Sequence, residues 1–136
     1  MNILFVSSGN SNKGTSLIIE NQAKSLKEIG LNIEYYNIKG KGFFGYLNNV
    51  NRLKSKVSSS NYDIIHAHYA FSGYLVSISN LNLPIIVSLM GSDIMAKFFY
   101  KYLIFIFSKL SWSKTIAKSK TIVENIDIKN IDIIPN

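Results

Sequence analysis

Two histidines one residue apart, in the run Ile64-Ile65-His66-Ala67-His68-Tyr69, are the residues of this chain best suited to chemistry. Side chains at i and i+2 of a strand point the same way, so both imidazoles would share one face. A metal site would need a third ligand, and with no cysteine and few acids nearby the chain offers little toward one. His66 fits a core histidine hydrogen-bonded to backbone. His68, nearer the strand's end, is the better candidate for touching a substrate, with Tyr69 lining the same cleft. A second motif is Met90-Gly91-Ser92-Asp93, where glycine lets backbone approach a ligand or take a positive φ. Asp93 suits a cap on the helix that follows, a place facing the cleft with Gly91 and Ser92, or both. A third is the loop Gly9-Asn10-Ser11-Asn12-Lys13-Gly14-Thr15-Ser16, between a strand and a helix, where free amides and the helix dipole favour an anion. Gly14 and Thr15 are its phosphate-contact candidates. Thr15 stands where a Walker A loop has lysine, and G-x-G-x-x-G is absent, which argues against a nucleotide-triphosphate switch and a dinucleotide binder. The alternative is a glycine-eased turn with a Ser or Thr helix cap.

The elements that must position these residues are legible as an alternation. Ile3 to Val6 is a short apolar run of the kind buried on both faces of a parallel sheet. A helix follows with Ile19, Ala23 and Leu26 at helical spacing and Gly30 as its terminal cap. Leu31 to Ile38 reads as the second strand, and the glycines at 40, 42 and 45 precede a helix carrying Leu47, Val50, Leu53 and Val57. The third strand leads through the histidines into a helix ending near Ser79. The fourth spans Pro84 to Leu89, a long helix runs from about Ile94 to Leu110, and the fifth lies near Thr115 to Ala117. Ser119, a further cleft-lining candidate, opens a short helix before a sixth strand at Ile131 to Ile134. Six strands alternating with helices predict one α/β domain over residues 1–136: a doubly wound, mostly parallel sheet with helices on both faces. Ligands of such sheets bind at the strands' carboxyl ends, where the chain itself ends in Ile133-Ile134-Pro135-Asn136, so it is expected to be one half of a cleft.

Composition narrows the partners. An apolar fraction of 47% with 17% charged residues excludes a disordered chain. No cysteine is present and Met1 to Val6 lacks a basic leader, so a cytoplasmic setting is expected. No stretch reaches the roughly 18 apolar residues needed to span a bilayer. The net charge is +7, and between Lys39 and Lys120 eleven bases face only Asp63 and Asp93, a balance that suits anionic partners and is also what a biased base composition produces. Basic and aromatic residues are not interleaved in a nucleic-acid recognition pattern, so no nucleic acid is expected. The helix from Ile94 to Leu110 is apolar around most of its girth. Lys97, Lys101 and Phe105 would face a membrane if it lay at an interface, and otherwise it is buried against the sheet and a partner domain. Trp112 either anchors at such an interface or packs.

These motifs, in this order, resemble the N-terminal domain of GT-B glycosyltransferases, in particular the family-four group of retaining enzymes. His66-Ala67-His68-Tyr69 followed by Ser72-Gly73 is similar to that group's H-x-H signature, Val87 to Asp93 to its next loop, and Ile133-Ile134-Pro135-Asn136 to the start of its interdomain linker. The resemblance implies transfer of a sugar from a nucleotide-sugar donor to a glycan or lipid-linked acceptor, with retention and without a metal or other cofactor. It implies that His68 reaches the transferred sugar, that Gly14 contacts the donor diphosphate, and that a C-terminal domain absent from this chain binds most of the nucleotide. Such a half would transfer no sugar alone. A single glycine stands where relatives have a pair, and Met90 where many have histidine. The enzyme is expected in the cytoplasm, with peripheral contact on the inner face of the cell membrane; the other reading is a non-catalytic membrane-docking or partner-binding module.

Overall fold

Short apolar runs become the strands, and the computed structural model describes residues 1–11, 14–91, 98–126, 128 and 131–135. The strands are β1 (Asn2–Ser8), β2 (Asn32–Ile38), β3 (Ile64–His68), β4 (Ile85–Leu89), β5 (Lys114–Ala117) and β6 (Ile131–Ile133). They form one sheet in the order β2-β1-β3-β4-β5-β6, with every neighbouring pair parallel. Between them run α1 (Leu17–Glu28), α2 (Gly42–Leu47), α3 (Val50–Ser58), α4 (Ala70–Ile78), α5 (Phe98–Leu110) and α6 (Lys120–Glu124).

The order explains the layers. From β1 the chain moves one way to β2, then back across β1 to β3 and onward, and right-handed crossovers therefore put α1 on one face and the later helices on the other. Alternate residues divide accordingly. Ile3, Phe5 and Ile33 pack with Ile19 and Ala23 of α1. Leu4, Val6, Ile65, Ala67, Val87 and Leu89 form the larger core with residues of α3 to α6. Gly30, at φ +89, ends α1 by donating its N–H to Lys27, the left-handed stop expected of a glycine there.

Gly73 sets the distance between α4 and the sheet, since a Cβ there would lie 2.9 Å from the Trp112 ring and 3.0 Å from Val87. Trp112 is accordingly core: its Nε1 donates to Ser77 Oγ at 3.1 Å and its ring stacks on Tyr74. Two details differ from the sequence reading. The helix expected to carry Leu47 through Val57 is two helices, because the Asn49 side chain is buried and bonds the carbonyls of Lys39 and Gly45, taking backbone partners that a continuous helix would not offer. The long helix is described from Phe98 onward, and its expected first turn lies outside the described residues.

Gly73→Ala is expected to lower stability by about 1–3 kcal/mol, the usual cost of overpacking. Urea unfolding checks it, and an unmoved midpoint would show that α4 is not held against Val87 and Trp112 as described.

Candidate functional site

The reversal of strand order falls between β1 and β3, which opens a crevice above their carboxyl ends. Because β1, β3 and β4 are parallel neighbours, the loops that carry Gly14 and Gly91 and the strand end that carries His68 lie along one rim. The carboxyl-end cleft expected from the sequence thus has its place in the topology.

The first loop is shaped by its ties to β2. A Cβ at Gly9 would come within 2.8 Å of Asn37 Cβ, so only glycine fits that close approach. Asn10 exchanges hydrogen bonds with Gly40, its Nδ2 donating at 2.6 Å and its Oδ1 accepting at 3.0 Å. Gly14 takes φ +70, with Ser11 Oγ donating to its carbonyl at 2.6 Å. The Thr15 hydroxyl donates to Asn37 Oδ1 at 3.1 Å, so it turns toward β2, and what Thr15 has left for an anion is main chain. Ser16 precedes α1 in extended conformation, its Oγ buried without a hydrogen-bond partner among the described residues.

Beneath the rim, His66 and His68 lie on one face of β3, stacked at 4.4 Å between ring centroids. Phe5 meets both rings edge-on from β1, at 5.0 and 4.7 Å. His66 Nε2 is 2.8 Å from Ser88 Oγ on β4, so this core histidine is satisfied by a side chain rather than by backbone. His68 is 0% exposed, and neither ring nitrogen has a partner among the described residues. Burial, with Lys118 adding to it, pushes His66 down to about 4. Burial, then His66, then Lys118 push His68 well below its ordinary range. Both rings are therefore uncharged at neutral pH. They can donate or accept a hydrogen bond there, and burial opposes their holding a second proton.

Tyr69, the next residue, adopts φ 74 and ψ 147, a region that side-chain-bearing residues rarely enter. Its N–H donates to the Ser88 carbonyl at 2.9 Å and its carbonyl accepts from Gly73 at 3.1 Å, bonds that fix the conformation from both sides. Gly91 takes φ +95, a backbone angle that calls for glycine, and among the described residues Ile122 alone comes near the place of a Cβ, at 3.9 Å. Ser119 sits exposed in extended conformation just before α6. Ser92, Asp93 and Lys97 lie outside the described residues. Lys101 and Phe105 are half-buried on α5, well away from the histidines in sequence and on a different element, and Lys109 Nζ stands 4.0 Å over the Phe105 ring. Beside the rim, on the α1 face, a groove of about 420 Å³ is lined by Ile18, Gln22, Ser88, Ile116, Lys118 and Pro135. Ser88 and Lys118 escaped the sequence reading. A serine inside the apolar run Ile85-Ile86-Val87-Ser88-Leu89 was the signal for the first. Among the described residues no three His, Asp or Glu side chains gather as a metal site would require.

Two outcomes follow from this geometry. The unfolded chain protonates His66 near 6.5 while the folded chain resists to about 4, so stability is full above pH 6.5 and declines as pH falls toward 4. The loss from His66 alone is on the order of 3 kcal/mol, and urea unfolding at pH 7 and pH 4.5 measures it; equal stabilities would contradict the buried pair. Comparing Tyr69→Gly with Tyr69→Ala isolates the backbone, since both remove the ring. The glycine variant is expected to be the more stable by about 1 kcal/mol, reversing the usual order.

A family described as glycosyl transferase 4-like matches residues 9–125. The chain is also 31% identical, over 152 aligned positions, to an uncharacterised glycosyltransferase of Methanocaldococcus jannaschii. That alignment takes in 89% of this chain and 42% of the relative, so the chain spans less than half of that relative's length. In structure it is similar to sucrose-phosphate synthase from Thermosynechococcus elongatus, with a TM-score of 0.73 at 12% identity over all of this chain and 89% of that one, a likeness of fold. With the match running from the first rim glycine to the end of α6, the chain belongs to the glycosyl transferase 4-like family and has the fold of a GT-B N-terminal domain.

Proposed function

We propose that this chain is the acceptor-side half of a retaining glycosyltransferase, which moves a sugar from a nucleotide-sugar donor to a hydroxyl of a glycan or lipid-linked acceptor. The observation that carries the reading is the meeting of the family's motifs on one rim: the Gly14 loop, His68-Tyr69 and Gly91 all leave the carboxyl ends of adjacent parallel strands.

In this reading, main-chain amides around Gly14 and Thr15 face the donor diphosphate, where negative charge grows as the bond to the sugar breaks. His68 meets a hydroxyl of the transferred sugar. A buried ring with both nitrogens unpartnered among the described residues is costly unless some ligand group satisfies it, which supports that role. Its neutrality suits hydrogen bonding better than proton shuttling. Tyr69, Gly91, Ser92, Asp93 and Ser119 line the acceptor side. A C-terminal domain binds the nucleotide and closes over the rim to exclude water, and the reaction needs no metal.

The test is turnover of nucleotide-sugars by a chain that carries both halves, with the anomeric configuration of the product read by NMR. A product with the donor's configuration is expected, and an inverted product would overturn retention. The 136-residue chain alone is expected to transfer no sugar at ordinary rates.

A further inference from the structure

The segment between β2 and α3, tied to the first rim loop by the Asn10–Gly40 hydrogen bonds, is built with unusual rigidity around an exposed apolar tip. Gly40 and Gly45 touch: a Cβ on Gly45 would lie 2.7 Å from the Gly40 carbonyl carbon, and Gly40 and Gly42 take φ +110 and +67. The buried Asn49 side chain closes the segment from inside. Its Nδ2 donates to Lys39 O at 2.9 Å and to Gly45 O at 2.7 Å, and its Oδ1 accepts from Tyr36 Oη at 3.1 Å. What this scaffold presents is Phe43, 69% exposed, and Phe44, 78% exposed, packed edge-on at 5.6 Å. Holding two phenylalanines in water is unfavourable by the area they expose, so the geometry makes sense when something apolar meets them.

Behind the tip lies a groove of about 640 Å³ between α2, α4 and α5, lined by Phe43, Tyr46, Phe71, Tyr74, Tyr100 and Leu103 among others. Aromatic contacts cross it from Tyr46 to Phe71 at 6.2 Å and from Phe71 to Tyr100 at 5.2 Å. On the outer side of α5 stand Phe99, 63% exposed, and Tyr102, 56% exposed. Among the described residues, the charged side chains nearest these aromatics in sequence are lysines. Lys39 and Lys41 flank the tip exposed, and Lys109 is exposed on α5. Of the two acids between Lys39 and Lys120, Asp63 binds the backbone N–H of Asn2 at the amino ends of the strands, and Asp93 lies outside the described residues.

We propose that this aromatic face docks the protein on an anionic phospholipid bilayer, with Phe43, Phe44, Phe99 and Tyr102 entering the headgroup region and Lys39, Lys41 and Lys109 meeting lipid phosphates. Aromatic rings carried outward on two separate elements, with lysines at their margin, match a flat amphipathic interface. A second copy would set lysines against lysines. No helix among the described residues is long and apolar enough to cross a membrane, so the contact is peripheral. The proposal stands apart from the sugar chemistry and fails or holds without it.

The experiment is flotation of the chain with vesicles of phosphatidylcholine, with and without phosphatidylglycerol, at low and high salt. Binding to the phosphatidylglycerol vesicles is expected, weakened by salt, and weakened tenfold or more by Phe43→Ser with Phe44→Ser and by Lys39→Glu with Lys41→Glu. These side chains are exposed, and circular dichroism of each variant checks that the fold is kept. The proposal is overturned by absence of binding at low salt, or by undiminished binding of the serine variant. It is equally overturned by self-association that the serine variant abolishes, by capture of soluble polyglutamate in place of vesicles, or by loss of vesicle binding in a longer chain whose C-terminal half covers the face.

Discussion

Parallel pairing is the constraint on which the rest of the molecule depends. Two parallel strands cannot be joined by a hairpin, so each step across the sheet needs a helix, and the handedness of that step decides which face the helix covers. Starting at β1 and going first to β2, then back past β1 to β3, divides the helices between the faces and opens a crevice at the reversal. The three loops with functional motifs leave from β1, β3 and β4, the strands at and beside that reversal.

The rim combines features that are costly in a purely structural role. His68 is buried with its nitrogens unpartnered among the described residues, and Tyr69 holds a backbone conformation suited to glycine. Both are held by their surroundings: Phe5 and His66 confine the ring, while Ser88 and Gly73 hold the Tyr69 peptide groups. Strain and unmet polar groups gathered at one strand end are the pattern of a ligand site.

Much of this was legible in the residues, for identifiable reasons. Ile3 to Val6 and Ile85 to Val87 are continuous apolar runs because both sheet faces are covered, and continuous runs are the signature of buried parallel strands. The shared face of His66 and His68 follows from strand geometry alone, and the stacked rings bear it out. The break between α2 and α3 was hidden, since it depends on Asn49 finding Tyr36 and Lys39, partners that spacing does not reveal. The backbone of Tyr69 was hidden more deeply: its φ is imposed by Ser88 and by α4, and a tyrosine carries no mark of it. Ser88 was visible as a polar residue in an apolar strand, but its bond to His66 required the β3–β4 register.

The two margins of the sheet are guarded unequally. β2 is seven residues long and carries Glu34, which accepts from Lys56 at 2.6 Å and from Tyr62 at 2.7 Å. At the far margin β6 has three residues, and its Asp132 pairs with Lys114 of β5 at 2.9 Å. A margin that brief offers another polypeptide few main-chain partners, and a carboxylate in its middle opposes the addition of a foreign apolar strand. The sheet thereby carries its own defence against fibrillar growth at the end where its coverage is thinnest.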